Sequence, residues 1–266
     1  MTDPSDPDVV ERGATRSDPD LAEEVATPND PDARDADDTP APGPRMGLGR
    51  RRFLRVAAAG TVLGAVGCLG GLDEAGQRPL SENPVAANLQ GRPRLGPGHG
   101  ETPVTLVAFD DPSCPYCAKL STGAMDRIES EWVAEGRATV YNRSYYFVED
   151  WSRPAINGLL AAWDRDPDAY RHLEAAYFRH QDDLSVGNVA ERTAGFLDGT
   201  DLAPEPVVAA VRDRPHASRI DADVEAAERA GIDGVPTVFV FDEGEFVTTL
   251  GNDDFEAYRS AVESNG

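Results

Sequence analysis

The residues best placed to do chemistry in this chain are Cys114 and Cys117, three positions apart in Asp110-Asp111-Pro112-Ser113-Cys114-Pro115-Tyr116-Cys117. An apolar, β-branched run, Pro103 to Phe109, precedes them and reads as a buried strand. Ala118 to Val133 follows, with the apolar spacing of an amphipathic helix. A Cys-x-x-Cys at such a junction places the first thiol at a helix N-terminus. Unpaired N–H groups and the positive end of the macrodipole favour a thiolate there. Cys117 lies one turn on, close enough to close a disulfide with Cys114, and is expected to be the more buried thiol. Zinc would need a second Cys or His pair. The only other cysteine is Cys68, and His99, His172, His180 and His216 show no ligand spacing. Thiol redox chemistry is therefore the reading, with a purely structural disulfide as its alternative.

The flanking elements must hold this pair. After the redox helix, Arg137 to Phe147 reads as a second strand, and a short edge strand is expected within 91–96. From 153 to about 232 the pattern turns helical. Ala155, Leu159, Ala162 and Trp163 line one face, Tyr170, Leu173, Ala176 and Tyr177 another, and shorter helices follow at 188–198, 204–212 and 218–230. The aromatics there read as core, and His172 and His180 as residues without chemistry. Strand character returns over 234–241, a turn is expected at Asp242-Glu243-Gly244-Glu245, and a strand over 246–250 precedes a closing helix over 253–262. This alternation predicts an α/β sheet with the site at the C-terminal end of the first strand.

The chain has 266 residues and a net charge of -23, with Lys119 its only lysine. Such a balance argues against nucleic-acid binding, which needs a basic patch. Dense Asp and Glu with almost no Lys resembles the surface of a protein from a high-salt environment, where self-repulsion is screened. Residues 1–45 hold 13 acids and four arginines, are rich in Asp and Pro, and read as disordered. Residues 46–67 hold four arginines and no acid. Their Arg50-Arg51-x-Phe53-Leu54 followed by a mild apolar stretch resembles a twin-arginine export signal. With an acidic segment of 45 residues ahead of it, translation is expected to begin at Met46 in at least part of the population. Ala65-Val66-Gly67-Cys68 resembles a lipoprotein cleavage box, which would make Cys68 a lipidation site. An uncleaved signal anchor is the other reading of this segment. Either places the remainder outside the cytoplasm, held at the membrane. Residues 68–100, rich in Gly, Pro and polar side chains, read as a tether, and 101–266 as the folded domain.

Over about 91–264 the chain resembles the DsbA-like branch of the thioredoxin superfamily, the extracytoplasmic thiol-disulfide oxidoreductases. The resemblance rests on the run from Pro103 to Cys117, on Tyr170-Arg171-His172-Leu173 and Tyr177-Phe178, and on Gly231-Ile232-Asp233-Gly234-Val235-Pro236-Thr237. It implies a thioredoxin-like α/β fold, a central mixed sheet with a helical insertion. It also implies that Cys114 is the exposed nucleophile and Cys117 the resolving thiol. Pro115 and Tyr116 would tune the pair and meet the substrate, while Pro236 would be a cis proline facing the dithiol, with Val235 offering its backbone to the substrate. No organic cofactor or metal is implied. The partners would be exported proteins bearing thiols and a second protein that resets the pair. Oxidase, reductase and isomerase directions all fit, and a lipid-anchored binding protein with a structural disulfide is the reading from another class.

One position departs from the family. Six residues before the first cysteine it usually carries a buried acid, and this chain has Ala108. Side chains two apart on a strand share a face. If the strand continues to Asp110, that residue lies on the side of Ala108, one step nearer the dithiol. Asp110, with Asp111 beside it, is therefore expected to move protons to and from Cys117.

Overall fold

The computed structural model describes residues 74–98 and 100–264. The expectations of an acidic disordered segment (1–45), an export signal (46–67) and lipidation at Cys68 lie outside the described residues. Five strands form one sheet in the order β1-β3-β2-β4-β5. They are β1 (Arg94–Leu95), β2 (Val104–Asp110), β3 (Ala138–Ser144), β4 (Thr237–Asp242) and β5 (Glu245–Leu250). β2 runs parallel to β3, and the β1–β3, β2–β4 and β4–β5 pairs are antiparallel, so the sheet is mixed.

The pleat of β2 sorts its side chains into two cores. Val104, Leu106 and Ala108 face the redox helix and the last helix, packing with Leu120, Ile128, Trp132, Phe255 and Tyr258. Val107 and Phe109 face the opposite way, against Phe239, Ala226 and Ala230. The redox helix begins as α1 (Pro115–Leu120) and continues through a π-type stretch, Ser121–Met125, then α2 (Asp126–Ile128) and a second π-type stretch, Glu129–Val133. The insert between β3 and β4 comprises α3 (Ser152–Trp163), α4 (Pro167–Arg179), α5 (Val189–Phe196), α6 (Pro204–Asp213) and α7 (Ala217–Ala230). α3 to α6 enclose their own core around Leu159, Tyr170, Leu173, Tyr177 and Val207, whereas α7 packs on the sheet. Gly231 ends α7 at φ 77, a left-handed conformation that glycine adopts without a Cβ clash. The β4–β5 turn places Glu243 at φ 49 and Gly244 at φ 84, as a two-residue hairpin of the right twist requires. α8 (Phe255–Glu263) closes the fold, its first turn capped by the Asp254 carboxylate.

The expected tether over 68–100 needs correcting for its described part. Residues 74–91 form short 3-10 turns whose Leu80, Val85 and Leu89 are buried against the α7 side of the sheet. Arg92 and Arg143 both place Nε beside one Asp223 oxygen, 2.8 and 2.7 Å away, Arg143 donating a hydrogen bond to it, and all three side chains are buried. Arg143 also donates to the carbonyls of Val85 and Ala87. Apolar residues every four or five positions, plus one buried ion cluster, make this segment part of the domain despite its loop-like composition.

Candidate active site

Cys114 is the N-cap of α1, at φ -80 and ψ 119, and Pro115 occupies the first helical position, where a missing N–H costs nothing. The Cys117 N–H points at the Cys114 sulfur from 3.4 Å. Across the site, the Cys114 thiol donates to the Val235 carbonyl at 3.5 Å, and the Val235–Pro236 peptide bond is cis. The Cys117 thiol donating to its sulfur, with the backbone N–H groups of Cys117 and Tyr116, brings Cys114 down to about 6, against burial and the charge of Asp111. Burial, the bond to Cys114 and the charge of Asp110 push Cys117 the other way, far up. One thiol is thus ready to ionise and the other holds its proton.

The expected exposure of Cys114 is not what the structure shows. Cys114 is 3% exposed and Cys117 2%. Phe178 from α4 and Val235 pack over both, so the insert and the proline loop form a roof on the dithiol. Tyr116 between them is 64% exposed.

Asp111 is fully buried and ties the active-site loop to the insert. One carboxylate oxygen accepts from the Ser113 N–H and hydroxyl and from the Ser152 hydroxyl, and the other from the N–H groups of Phe147 and Val148. Five donors on one carboxylate make it a structural anchor, and it does not line the cleft that Cys117 shares with Asp110. Gln181, after α4, adds a second tie by donating to the carbonyls of Pro112 and Cys114 at 2.9 and 3.0 Å.

Asp110 ends β2 on the Ala108 side, as strand alternation requires. It lines a cleft of about 360 Å³ together with Ala108, Cys117, Tyr170, Glu174 and Phe178. Burial, then the charges of Glu174, Asp111 and Cys114, hold its carboxyl well above the usual carboxylate range.

Among the described residues the exposed large hydrophobic side chains are Tyr116, Phe147, Val148 and Val186. Tyr116 lies between the cysteines, and the amides of Phe147 and Val148 are held by Asp111. Val186 follows the turn in which Gln181 grips the active-site loop. These apolar surfaces stand on segments that converge on Cys114.

Residues 93–264 match the family model described as Thioredoxin. The chain belongs to the thioredoxin family. Among curated proteins it is similar to Disulfide bond formation protein D of Bacillus subtilis (strain 168), 26% identical over 172 residues that cover 64% of this chain and 75% of that one. Among solved structures it is similar to oxidised BdbD from Bacillus subtilis, with a TM-score of 0.57, 22% identity, and coverage of 70% of this chain and 95% of that one. Chlamydia trachomatis DsbA gives a TM-score of 0.56 at 18% identity, covering 65% and 89%. This thioredoxin-family chain is a thiol-disulfide oxidoreductase.

The fold brings Cys114, Pro115, Cys117, Val235 and Pro236 to one place, as the sequence led us to expect. Sequence reasoning missed Glu174, Gln181 and Ser152. Each sits in the insert, far from the motif in sequence, and an ordinary polar residue on a helix gives no local signal of such a contact. Among the described residues no helix is long and apolar enough to cross a membrane.

Proposed function

We propose that this chain is an extracytoplasmic oxidase of protein thiols, held at the membrane by its N-terminal segment. One observation carries the direction: the Cys114 sulfur sits at a helix N-terminus, receives the Cys117 N–H, and ionises near 6. Stabilising that thiolate stabilises the reduced protein, which makes the disulfide form the stronger oxidant.

The substrate thiolate attacks the Cys114 sulfur of the Cys114–Cys117 disulfide. The S–S bond breaks, its electron pair goes to Cys117, and that sulfur takes a proton. A second substrate thiolate then attacks the substrate sulfur of the mixed disulfide, and Cys114 leaves as a thiolate. The substrate has lost two electrons and the enzyme has gained them. A second protein must then remove them, and its identity is open. Val235 and Pro236 hold the substrate backbone beside the dithiol. The exposed Tyr116, Phe147 and Val148 favour apolar, unfolded segments as substrates. Asp110 is the group that exchanges a proton with Cys117, because it lines the same cleft and burial and neighbouring charges hold its carboxyl well above the usual carboxylate range.

The arginine pair of residues 46–67 and Cys68 support export by a twin-arginine route and lipidation. Mass analysis of the mature N-terminus tests this: a diacylglyceryl-modified Cys68 supports it, and an unmodified chain running through residues 46–67 contradicts it. The oxidase reading is tested by mixing oxidised protein with a reduced, unfolded model protein in a glutathione redox buffer, and with the same model protein carrying its disulfides. Transfer of one disulfide to the substrate per Cys114–Cys117 pair reduced is expected. Net reduction of substrate disulfides under the same glutathione buffer would overturn the direction.

A further inference from the structure

The cleft beneath Cys117 holds a second carboxyl that the disulfide chemistry described so far does not use. Glu174 comes from α4 and lines the cleft with Asp110, Cys117 and Ala108. Its Oε1 accepts from the Tyr170 hydroxyl at 2.5 Å and from the Asn142 amide at 3.0 Å. That amide also donates to the Tyr170 oxygen at 3.1 Å. Asn142 stands on β3 directly beside Ala108, so both point into the cleft, where the alanine methyl leaves the room. Glu174 is thus aimed by α4 and β3 together.

The other charged groups around the cleft are accounted for. Arg171 on α4 is paired with Glu129 of the redox helix. Asp126 of the redox helix and Arg94 of β1 lie on the cleft wall, Asp111 is taken up by its five donors, and Asp223 acts on Asp110 only as the weakest of the charges upon it. Among the described residues no hydrogen bond from the protein reaches the Asp110 carboxyl, which sits half-buried at the end of an otherwise buried strand. Its strongest charged neighbour is Glu174. Two carboxyls that line one cleft oppose each other's ionisation.

We propose that Glu174 is a positioning residue acting through Asp110: the two carboxyls hold one proton between them, and Asp110 exchanges it with the Cys117 sulfur. In the oxidising direction a substrate thiolate attacks Cys114, the Cys114–Cys117 bond breaks, and Cys117 leaves with the electron pair. The Asp110 proton moves to that sulfur and leaves a carboxylate. The Glu174 charge makes that carboxylate unfavourable, so it recovers a proton from water through the cleft. In the reverse direction Asp110 takes the Cys117 proton as Cys117 attacks a mixed disulfide. This rests on the reading of Asp110 as the proton partner of Cys117.

The test uses the reduced protein and Ellman's reagent. Attack by Cys114 releases the first thionitrobenzoate, and attack by Cys117 on the resulting mixed disulfide releases the second. Glu174→Gln removes the charge that helps Asp110 keep its proton. The acid limb of the second phase should move down by about one pH unit, while the first phase keeps its profile. Glu174→Asp, which keeps the charge, should return the limb toward wild type, a result that a packing defect would not give. In an Asp110→Asn background Glu174→Gln should have no further effect on the second phase. Wild type without two phases would overturn the functional reading itself. An unaltered second phase in Asp110→Asn would overturn the role of Asp110, and the inference with it. A shift in Asp110→Asn but superimposable profiles for wild type and Glu174→Gln would overturn this inference alone.

Discussion

The Cys117 amide lies 3.4 Å from the Cys114 sulfur with its hydrogen directed at the atom that must carry negative charge. The same residue supplies the thiol that donates to that sulfur. Cys117 therefore stabilises its neighbour's thiolate twice while keeping its own proton. The asymmetry between nucleophile and resolving thiol is built by hydrogen bonding and depth, since both side chains are shielded from solvent.

The first consequence is a pH profile. Alkylation of reduced protein by iodoacetamide should occur at Cys114, with its rate rising through a midpoint near 6. Cys117 should stay unmodified over the same range, because burial holds its thiol protonated. Peptide mapping of the alkylated protein at several pH values checks both statements. Cys117 modified first, or a midpoint near the ordinary thiol value, would contradict them.

A stability slope follows from the same group. Cys114 has a depressed value in the folded, reduced state, so its stabilisation is complete above the unfolded thiol value and is lost as pH falls through about 6. Between those limits the reduced protein should gain up to ~1.4 kcal/mol per pH unit relative to Cys114→Ser. Urea denaturation of both proteins at pH 6 and pH 8 measures the difference. Parallel pH dependences would contradict the thiolate assignment.

Asp111 gives a prediction opposite in kind to that for Asp110. Asp111→Asn turns one acceptor arm into a donor facing N–H and O–H groups, so it should lose about 2 kcal/mol or more of stability. The pH at which Cys117 resolves a mixed disulfide should move down less than in Glu174→Gln, because the Asp111 charge acts on Asp110 more weakly than that of Glu174. Denaturation midpoints and the second phase of the Ellman's reaction separate the two effects. A shift at least as large as in Glu174→Gln, at wild-type stability, would assign Asp111 to proton transfer after all.

The segment before β1 should behave as part of the domain. Asp223→Ala strands two buried guanidinium groups, Arg92 and Arg143, at a cost of about 3–5 kcal/mol. Limited proteolysis should then open cuts within 74–92. A variant of wild-type stability with the same cutting pattern would mean that the ion cluster does not hold this segment.

The sequence made the frame of the site legible where the signal was local. The run from Val104 to Cys117 carries strand period, helix start and dithiol spacing together, and β2 with α1 appear where it put them. The reading of Asp110 needed only strand alternation. Contacts across the chain were hidden. The burial of Cys114 depends on Phe178 and Val235, which neither spacing nor composition around the cysteine reports. Likewise Leu80, Val85 and Leu89 sit in a stretch of Pro and polar residues, and their burial follows from the surface that α7 and the sheet offer them. Glu174 looked like any exposed acid on an acidic helix until the fold set it beneath Cys117.

The central claim, that Cys114 forms the mixed disulfide with substrate and Cys117 resolves it, is tested most directly by trapping. Cys117→Ser and Cys114→Ser variants are each incubated with a thiol-bearing protein under oxidising conditions, and mixed disulfides are counted on non-reducing gels. The account predicts that Cys117→Ser accumulates them, because no thiol remains to resolve the Cys114 linkage, and that Cys114→Ser forms none. Equal trapping by both variants, or trapping by Cys114→Ser alone, would contradict it.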